Sequence, residues 1–280
     1  MTQHGTLYVV ATPIGNLGDM TPRAIEVLQQ VDLIAAEDTR HSGPLLQHFG
    51  ITTSCIACHD HNERQISAGL VERIQRGESV ALISDAGTPL VSDPGYHLVR
   101  SAREAGVPVV PIPGASAMIA ALSVSGLPSD RFSFEGFLPA KSSARRQRLQ
   151  TLMDDSRTLI FYESTHRIEE SLADMAAVFG PERDVVIARE ITKRFETVHG
   201  DTLANLITWI AADSNQTKGE FVVMVHGAEE REASEIDPEA ERVLKLLLEE
   251  LPVKQAAALA AKITGAKKNA LYQLALGLAE

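Results

Sequence analysis

The sequence predicts an α/β fold with two consecutive α/β domains and a small helical module. Apolar runs typical of buried strands alternate with amphipathic helices over residues 1–126, and the alternation restarts after LPSDR and continues over residues 127–227. Two helices flanking ITGAKKN then predict a helix-turn-helix within residues 240–280. The chain has 280 residues, 44% of them hydrophobic, which is sufficient for two ordinary domains with their own cores.

The first domain is predicted to be a parallel sheet with helices on both faces. Thr21 and Pro22 start the first helix, Gly50 ends the second, and Asn62 and Gly77 bound the third. The strands are TLYVVAT, DLIAAED, TTSCIACH, SVALISD and VPVVPIPG. The second to fifth helices are predicted, in order, at SGPLLQHFG, NERQISAGLVERIQRG, YHLVRSAREAG and ASAMIAALSVSG.

The second domain shows the same alternation with some antiparallel pairing expected. Its strands are predicted at FSFEGFL, TLIFYES, DVVIARE and EFVVMVHG, and its helices at SARRQRLQTLMDD, HRIEESLADMAAVFG and DTLANLITWIAAD. The acidic stretch 228–250 is expected to begin as a linker and to pass into a helix. The chain therefore continues from the second domain into the terminal helices.

Composition and cysteine usage exclude several classes of protein. No apolar run approaches the roughly 20 residues that cross a bilayer, and the first residues lack a basic segment followed by an apolar one, so we expect a cytoplasmic protein. Cys55 and Cys58 form a C-x-x-C-H string, which is the pattern for haem attachment or part of a metal site. A second ligand cluster is missing, and we favour a buried strand with apolar thiols and no metal.

Polar clusters follow each strand of the first domain. They are TPIGNLGD, AEDTRH, HDHNE, SDAGTPLVSDPG and PGASA. Ligands bind beyond the carboxyl ends of the strands in open parallel sheets, so this edge is the expected binding site. Neither a dinucleotide fingerprint nor a phosphate-binding P-loop occurs, whereas the helix start at PGASA suits a carboxylate or a phosphate.

Eight strings occur in order over about residues 6–226: TPIGNLGD, AEDTR, SDAGTPLVSDPG, PGASA, FEGFLP, FYESTHR, ARE followed by T, and KGEFV. Together they resemble the tetrapyrrole methylase superfamily of S-adenosylmethionine-dependent methyltransferases. The AEDTR string is especially similar to its ribosomal RNA branch, the bacterial enzymes that methylate a cytidine 2′-oxygen in small-subunit ribosomal RNA. The resemblance implies two α/β domains with the cofactor in the cleft between them, and a homodimer.

The resemblance also implies the residues of the site. The cofactor would contact Pro13, Asp85, Gly87, Thr88, Pro89, Val91, Gly114, Ala115, Ser116, Ala117, Tyr162, Lys218 and Gly219. The family's usual G-D-P string is replaced here by Gly87, Thr88 and Pro89. Carboxylates and an arginine at strand ends are the candidates for orienting or deprotonating the acceptor hydroxyl: Glu37, Asp38, Arg40, Asp85 and Glu163.

RNA binding requires positive charge, although the formal net charge is −11. Three basic runs are candidates for it: Lys141, Arg145, Arg146 and Arg148; Lys193 and Arg194; and Lys254, Lys262, Lys267 and Lys268. Each run alone could equally be a solvated helix face, and the three together favour nucleic acid. The terminal helices would hold RNA or add to the dimer, and the sequence leaves both open. Two alternative functions also stay open, namely methylation of a small tetrapyrrole and nucleic-acid binding by a regulator without enzymatic activity.

Overall fold

A computed structural model describes residues 5–229 and 238–278 of the chain. The described residues form two compact units, one within Met1–Ala228 and one within Glu229–Glu280. In these two stretches, no helix is both long enough and apolar enough to cross a membrane.

The first sheet contains five parallel strands in the order β3-β2-β4-β1-β5. The strands are β1 (Leu7–Val10), β2 (Leu33–Ala36), β3 (Cys55–Ala57), β4 (Val80–Ile83) and β5 (Val109–Ile112). The helices are α1 (Pro22–Gln30), α2 (Thr39–His48), α3 (Glu63–Gln75), α4 (Tyr96–Glu104) and α5 (Ala117–Ser125). All strands run in one direction, so their carboxyl ends lie along one edge, and the predicted parallel sheet is confirmed.

Helices cover both faces of this sheet. Leu33 and Leu82 face α3 and α4, whereas Ile34 and Ile83 face α1 and α2. Cys58 is fully buried on the first of these faces and Cys55 packs on the second. The two thiols therefore lie on opposite sides of the sheet, where one haem or metal ion cannot contact both.

Two elements of this sheet differ from the expected bounds. Helix α2 begins at Thr39 and not at Ser42, because the Asp38 side chain accepts a hydrogen bond from the Arg40 backbone N–H and caps the helix. Strand β3 covers only Cys55–Ala57 of the expected run TTSCIACH, since it is an edge strand with β2 as its partner. The AEDTR string is consequently a helix start, not a loop.

The second sheet has five strands in the order β6-β7-β10-β8-β9. The strands are β6 (Phe132–Phe137), β7 (Thr158–Ser164), β8 (Asp184–Arg189), β9 (Thr197–Thr202) and β10 (Glu220–Val225), and the helices are α6 (Ser142–Gln150), α7 (Ile168–Phe179) and α8 (Leu203–Ala212). Strands β6 and β7 are parallel, and the other pairs are antiparallel, as expected. Strand β9 was not predicted, because TVHGDT is mostly polar and pairs only at the sheet edge.

Helix α5 joins the two halves of this unit. It follows the last strand of the first sheet, but Ala121 and Leu122 pack on the second sheet against Ile160, Val186 and Val222. The opposite face of the second sheet packs on α6, α7 and α8. Helix α5 thus follows the first sheet in the chain and covers one face of the second sheet.

The predicted division of the chain into domains at residues 1–126, 127–227 and 240–280 stays a prediction.

The helical unit contains α9 (Pro238–Leu248), α10 (Val253–Thr264) and α11 (Lys268–Leu278). Its core is made of small and aliphatic side chains: Ala240, Leu244, Ala256, Ala257, Ala260, Leu271 and Ala275. Gly265 ends α10 in the left-handed conformation, with φ of 76°, and so permits the short turn into α11. Residues 230–237 of the expected linker lie outside the described residues.

Candidate functional site

A cavity of about 290 Å³ lies at the carboxyl edge of the first sheet, where the second sheet faces it. One wall consists of Ile14, residues 86–88 and 91–93 of the long loop, and the start of α5. The opposite wall comes from β6, β7, β10 and the segment after β8. This size and mixed lining are typical of a small-molecule site.

The cavity brings together seven of the residues that the sequence predicted for the site. They are Gly87, Thr88, Val91, Ser116, Ala117, Tyr162 and Glu163. They come from the long loop, the α5 start and β7, so three segments distant in sequence meet at one place.

Other predicted residues lie behind the cavity wall. Pro13 and Pro89 are buried in the two segments that flank it. The Ala115 carbonyl accepts a hydrogen bond from Thr88 Oγ1 at 2.9 Å. Gly114 packs so closely on the residue that follows β1 that a Cβ atom there would lie 2.9 Å from the Ala11 Cβ. These residues shape the wall without lining it.

Lys218 and Gly219 lie in the loop before β10 and do not line the cavity. Lys218 is exposed, and its Nζ donates to Asn215 Oδ1 at 3.0 Å. The Gly219 N–H and carbonyl both bond to Thr165 Oγ1, at 2.8 and 2.7 Å. These hydrogen bonds stabilise the loop before β10, and direct contact of Lys218 and Gly219 with a ligand stays a prediction.

The long loop is held in a strained conformation. Its Gly87 exchanges two backbone hydrogen bonds with Thr12, at 2.8 and 3.1 Å, and has a φ of 85°. Leu90 and Ser92 also adopt positive φ values, of 72° and 65°, which residues other than glycine rarely adopt. Strain of this kind persists where the surrounding structure imposes it, and it is concentrated at functional sites.

Two of the polar side chains that line the cavity are Tyr162, on the wall formed by the second sheet, and Ser116, at the start of α5. The Tyr162 hydroxyl accepts a hydrogen bond from the Met118 N–H at 3.2 Å, and its ring makes edge contacts with Phe134 and Phe137. Burial raises the pKa of Tyr162, so its hydroxyl stays protonated. Ser116 precedes the first turn of α5 but makes no side-chain capping bond there. Its hydroxyl therefore has no role in starting the helix.

The structure brings Glu37, Asp38 and Asp85 together beside the cavity, at the ends of β2 and β4. The Asp85 N–H donates to Glu37 Oε2 at 3.3 Å, and the Asp38 N–H donates to Asp85 Oδ1 at 3.0 Å. Arg40 donates to both Asp38 oxygens, at 3.1 and 2.6 Å, and this holds the pKa of Asp38 well below its usual range. Burial and the neighbouring carboxylates raise the pKa of Glu37. We call these four residues the acidic rim.

Asp93 connects the acidic rim with the cavity, and sequence reasoning missed it as a site residue. It lines the cavity, and burial raises the pKa of its carboxyl to about 6. The negative charges of Glu37, Asp85 and Asp60 raise the pKa further, whereas a hydrogen bond with Ser84 lowers it. The sequence signal was the string SDPG, because it places a carboxylate in a loop that is longer than a connection between a strand and a helix requires.

Glu163 lines the cavity but its carboxylate is engaged elsewhere. Strand alternation directs Tyr162 towards α5 and Glu163 towards α7. Its Oε2 accepts hydrogen bonds from Ser171 Oγ at 2.6 Å and Arg167 Nη2 at 3.0 Å, and its Oε1 accepts one from the Ser164 N–H at 2.8 Å. The residue therefore fixes α7 and Arg167, and a catalytic role stays a prediction.

Lys193 is a second residue that the site prediction missed. It lines the cavity, and its Nζ lies 3.0 Å from Glu190 Oε1 and 2.8 Å from Glu220 Oε2. These two hydrogen bonds raise the pKa of Lys193 against the effect of burial, so the ammonium is retained. Its sequence signal was the basic pair with Arg194.

The first basic run does not form the free positive surface that its sequence suggested. Arg145 is fully buried, with Nε 2.6 Å from Asp174 Oδ2. Arg146 Nε lies 2.5 Å from the other Asp174 oxygen, and Arg148 pairs with Glu135. Acids distant in sequence neutralise these charges, and only Lys141 of this run is exposed without a carboxylate partner among the described residues.

Comparisons with known proteins match this chain to two families. Residues 6–207 match the family of tetrapyrrole (corrin/porphyrin) methylases, and residues 234–279 match the RsmI C-terminal HTH domain. The chain is 63% identical to "Ribosomal RNA small subunit methyltransferase I" of Pseudomonas aeruginosa over 97% of both chains. It is 59% identical to the protein of the same name from Escherichia coli O157:H7, over 97% of this chain and 95% of the relative.

Solved structures show the same fold at low sequence identity. The methyltransferase CobJ superimposes with a TM-score of 0.59 at 20% identity, covering 84% of this chain and 98% of CobJ. Diphthine synthase gives a TM-score of 0.60 at 18% identity, covering 79% and 89%. The expected fold type is thereby confirmed.

Proposed function

The chain belongs to the tetrapyrrole methylase family and is an S-adenosylmethionine-dependent methyltransferase of small-subunit ribosomal RNA, and we propose that it methylates a cytidine ribose 2′-oxygen. The cavity between the two sheets carries this proposal, because it joins the predicted loop, the α5 start and Tyr162. The names of the relatives favour RNA over a small tetrapyrrole as the substrate.

The cavity residues fit the chemistry of the methyl donor. S-adenosylmethionine carries an ammonium, a carboxylate, a sulfonium and an adenosine, and it has no phosphate. Asp93 supplies a carboxylate for a cationic group, and Ser116 supplies a hydroxyl that the helix start does not use. Gly87 has no side chain and so leaves room at the wall, where a Cβ atom would crowd Ile14 Cγ2 at 3.2 Å. We propose that Gly87, Thr88, Val91, Ser116, Ala117 and Tyr162 hold the donor, together with Asp93.

When bound, the donor supplies an electrophilic methyl group, and the protein has to orient the ribose towards it. Positioning of two reactants contributes up to about 7 to 11 kcal/mol, whereas a general base contributes about 3 to 5 kcal/mol. We propose that the acidic rim orients the 2′-hydroxyl. Glu37 and Asp85 are the candidates for accepting its proton, because Asp38 and Arg40 are paired with each other.

Mapping of 2′-O-methylation in ribosomal RNA tests the acceptor atom. We expect one cytidine of the small-subunit RNA to lose its 2′-O-methyl group in cells that lack this protein, and to regain it with the wild-type chain. The Ser116→Arg variant should not restore it, because a long cation would fill the cavity. Its circular dichroism should match the wild type while calorimetry detects no cofactor binding. An unchanged map, or methyl loss from a base atom, would contradict the proposal.

We further propose a homodimer that acts in the cytoplasm, as the family resemblance implies. Sedimentation equilibrium should give twice the monomer mass. Methyl transfer should be compared between naked RNA and assembled small-subunit particles, both from cells that lack the protein. A monomer would contradict the dimer without affecting the proposed reaction.

A further inference from the structure

The charges of the cavity are unequal. Asp93 and Glu220 contribute carboxylates, the Glu163 carboxylate is paired with Arg167 away from the opening, and among the described residues of the lining Lys193 carries the one positive charge. A polyanion that approaches this opening is repelled by Asp93 and Glu220 and attracted by Lys193. This asymmetry raises the question of how an RNA chain enters.

The proposed reaction brings a phosphate to this opening. A ribose 2′-hydroxyl is adjacent to the 3′-oxygen, which carries the next phosphate of the chain. A 2′-oxygen that reaches the cavity therefore brings that phosphate with it. Placing a phosphate beside carboxylates is unfavourable unless a cation pairs with it.

Lys193 is held in place for such a role. Its stem lies over Gly15, where a Cβ atom would come within 2.5 Å of Lys193 Cγ. Gly15 has a φ of 137°, so the close approach uses a residue without a side chain. The preceding Thr192 and Glu190 adopt positive φ values of 66° and 50°. Packing and a strained backbone thus direct the ammonium to the cavity wall.

The two carboxylates on Lys193 differ in how firmly they are held. Glu190 is 20% exposed, and its Oε1 also accepts the Glu220 backbone N–H at 3.0 Å. The Glu220 side chain is 82% exposed and Lys193 Nζ is its one partner in the described residues. An exposed ion pair of this kind contributes little to stability, so Glu220 can be displaced at small cost.

We infer that Lys193 binds the phosphate on the 3′ side of the target ribose, and that Glu220 occupies the phosphate position in the free protein. On RNA binding the phosphate replaces the Glu220 carboxylate, while Glu190 continues to hold the lysine. This inference rests on the proposed transfer to a ribose of ribosomal RNA.

Two substitutions with opposite expected effects test it. The readout is the KM and kcat of methyl transfer to small-subunit RNA or particles from cells lacking the protein, at several salt concentrations. Lys193→Met should raise the KM about tenfold, and the slope of log KM against log salt should fall by about 0.7, the value for one lost phosphate contact on single-stranded RNA. Glu220→Gln should lower the KM about two- to fivefold, because the phosphate no longer competes with a carboxylate.

The opposite signs separate recognition from a structural role. If the pair merely held the segment after β8 against β10, both variants would weaken the site and raise the KM together. That result, or an unchanged KM and salt slope in Lys193→Met, would overturn the inference. Glu220→Gln decides even where Lys193→Met folds poorly, since Glu220 is exposed.

A matched ion pair provides the control. Arg100 and Glu104 on α4 form an exposed pair at 2.8 Å, and neither lines the cavity. Arg100→Met and Glu104→Gln should leave the KM and salt slope unchanged. A wild-type protein that transfers no methyl group to ribose would overturn the proposed function and this inference, whereas normal transfer with an unaffected Lys193→Met would overturn this inference alone.

Discussion

Asp93→Asn tests whether the cavity carboxylate binds the cationic cofactor. Burial raises the pKa of Asp93 to about 6, so about nine in ten molecules carry the proton at pH 5. A cationic group binds the ionised form, and the cofactor affinity should therefore fall about tenfold from pH 8 to pH 5, or about 1.4 kcal/mol. Asparagine has nearly the same shape but no charge, so the affinity should become weak and independent of pH.

The stability of the cofactor-free protein should change in the opposite direction. Between about pH 4 and pH 6 the Asp93 carboxyl is protonated in the folded protein, whereas in the unfolded chain it has its ordinary pKa of 3.8 and is ionised. The free energy of unfolding therefore falls as pH rises from about 4 to 6, by less than about 3 kcal/mol, because solvent screens a carboxyl that is only partly buried. Because Asp93→Asn removes this loss, the variant should be more stable than wild type at pH 8.

Isothermal calorimetry between pH 5 and 8 and urea unfolding at the same pH values provide the two measurements. Asp60→Asn is a control, since Asp60 is exposed and its charge contributes to the raised pKa of Asp93. This variant should keep the pH dependence with a midpoint at lower pH. A wild-type affinity that does not vary over this range, or the same variation in Asp93→Asn, would refute the reasoning.

Two further predictions concern the buried ion cluster and the acidic rim. Asp174→Asn should lower the free energy of unfolding by about 3 to 5 kcal/mol in urea, because Arg145 is fully buried and loses the charge of its buried partner, while its second partner Glu170 is 71% exposed. Arg76→Met removes an exposed pair and should cost under about 1 kcal/mol, and equal losses would contradict the buried-charge argument. Asp85→Ala should reduce methyl transfer at least tenfold with unchanged circular dichroism, since Asp85 connects Glu37 and Asp38. Full activity would exclude Asp85 from the orientation of the 2′-hydroxyl.

The sequence was sufficient for the first sheet and for the location of the site. Strands such as LIAA and VALI are apolar throughout, and this pattern predicts parallel strands that are buried on both faces. Parallel strands align their carboxyl ends, so the loops at Gly87 and Ser116 had to lie along one edge. The mostly polar β9 escaped prediction because pairing at a sheet edge, and not its own composition, makes it a strand.

The partners of charged side chains were decided by the tertiary structure alone. Arg145 looked like part of a basic surface, but Asp174 approaches it from a helix 29 residues away. Lys193 and Glu220 are 27 residues apart and meet only because β8 and β10 pair. Periodicity and turn residues are local properties that one segment carries in its own sequence. Ion pairs and raised pKa values depend on which distant segments pack together and exclude water, and only the folded chain determines that.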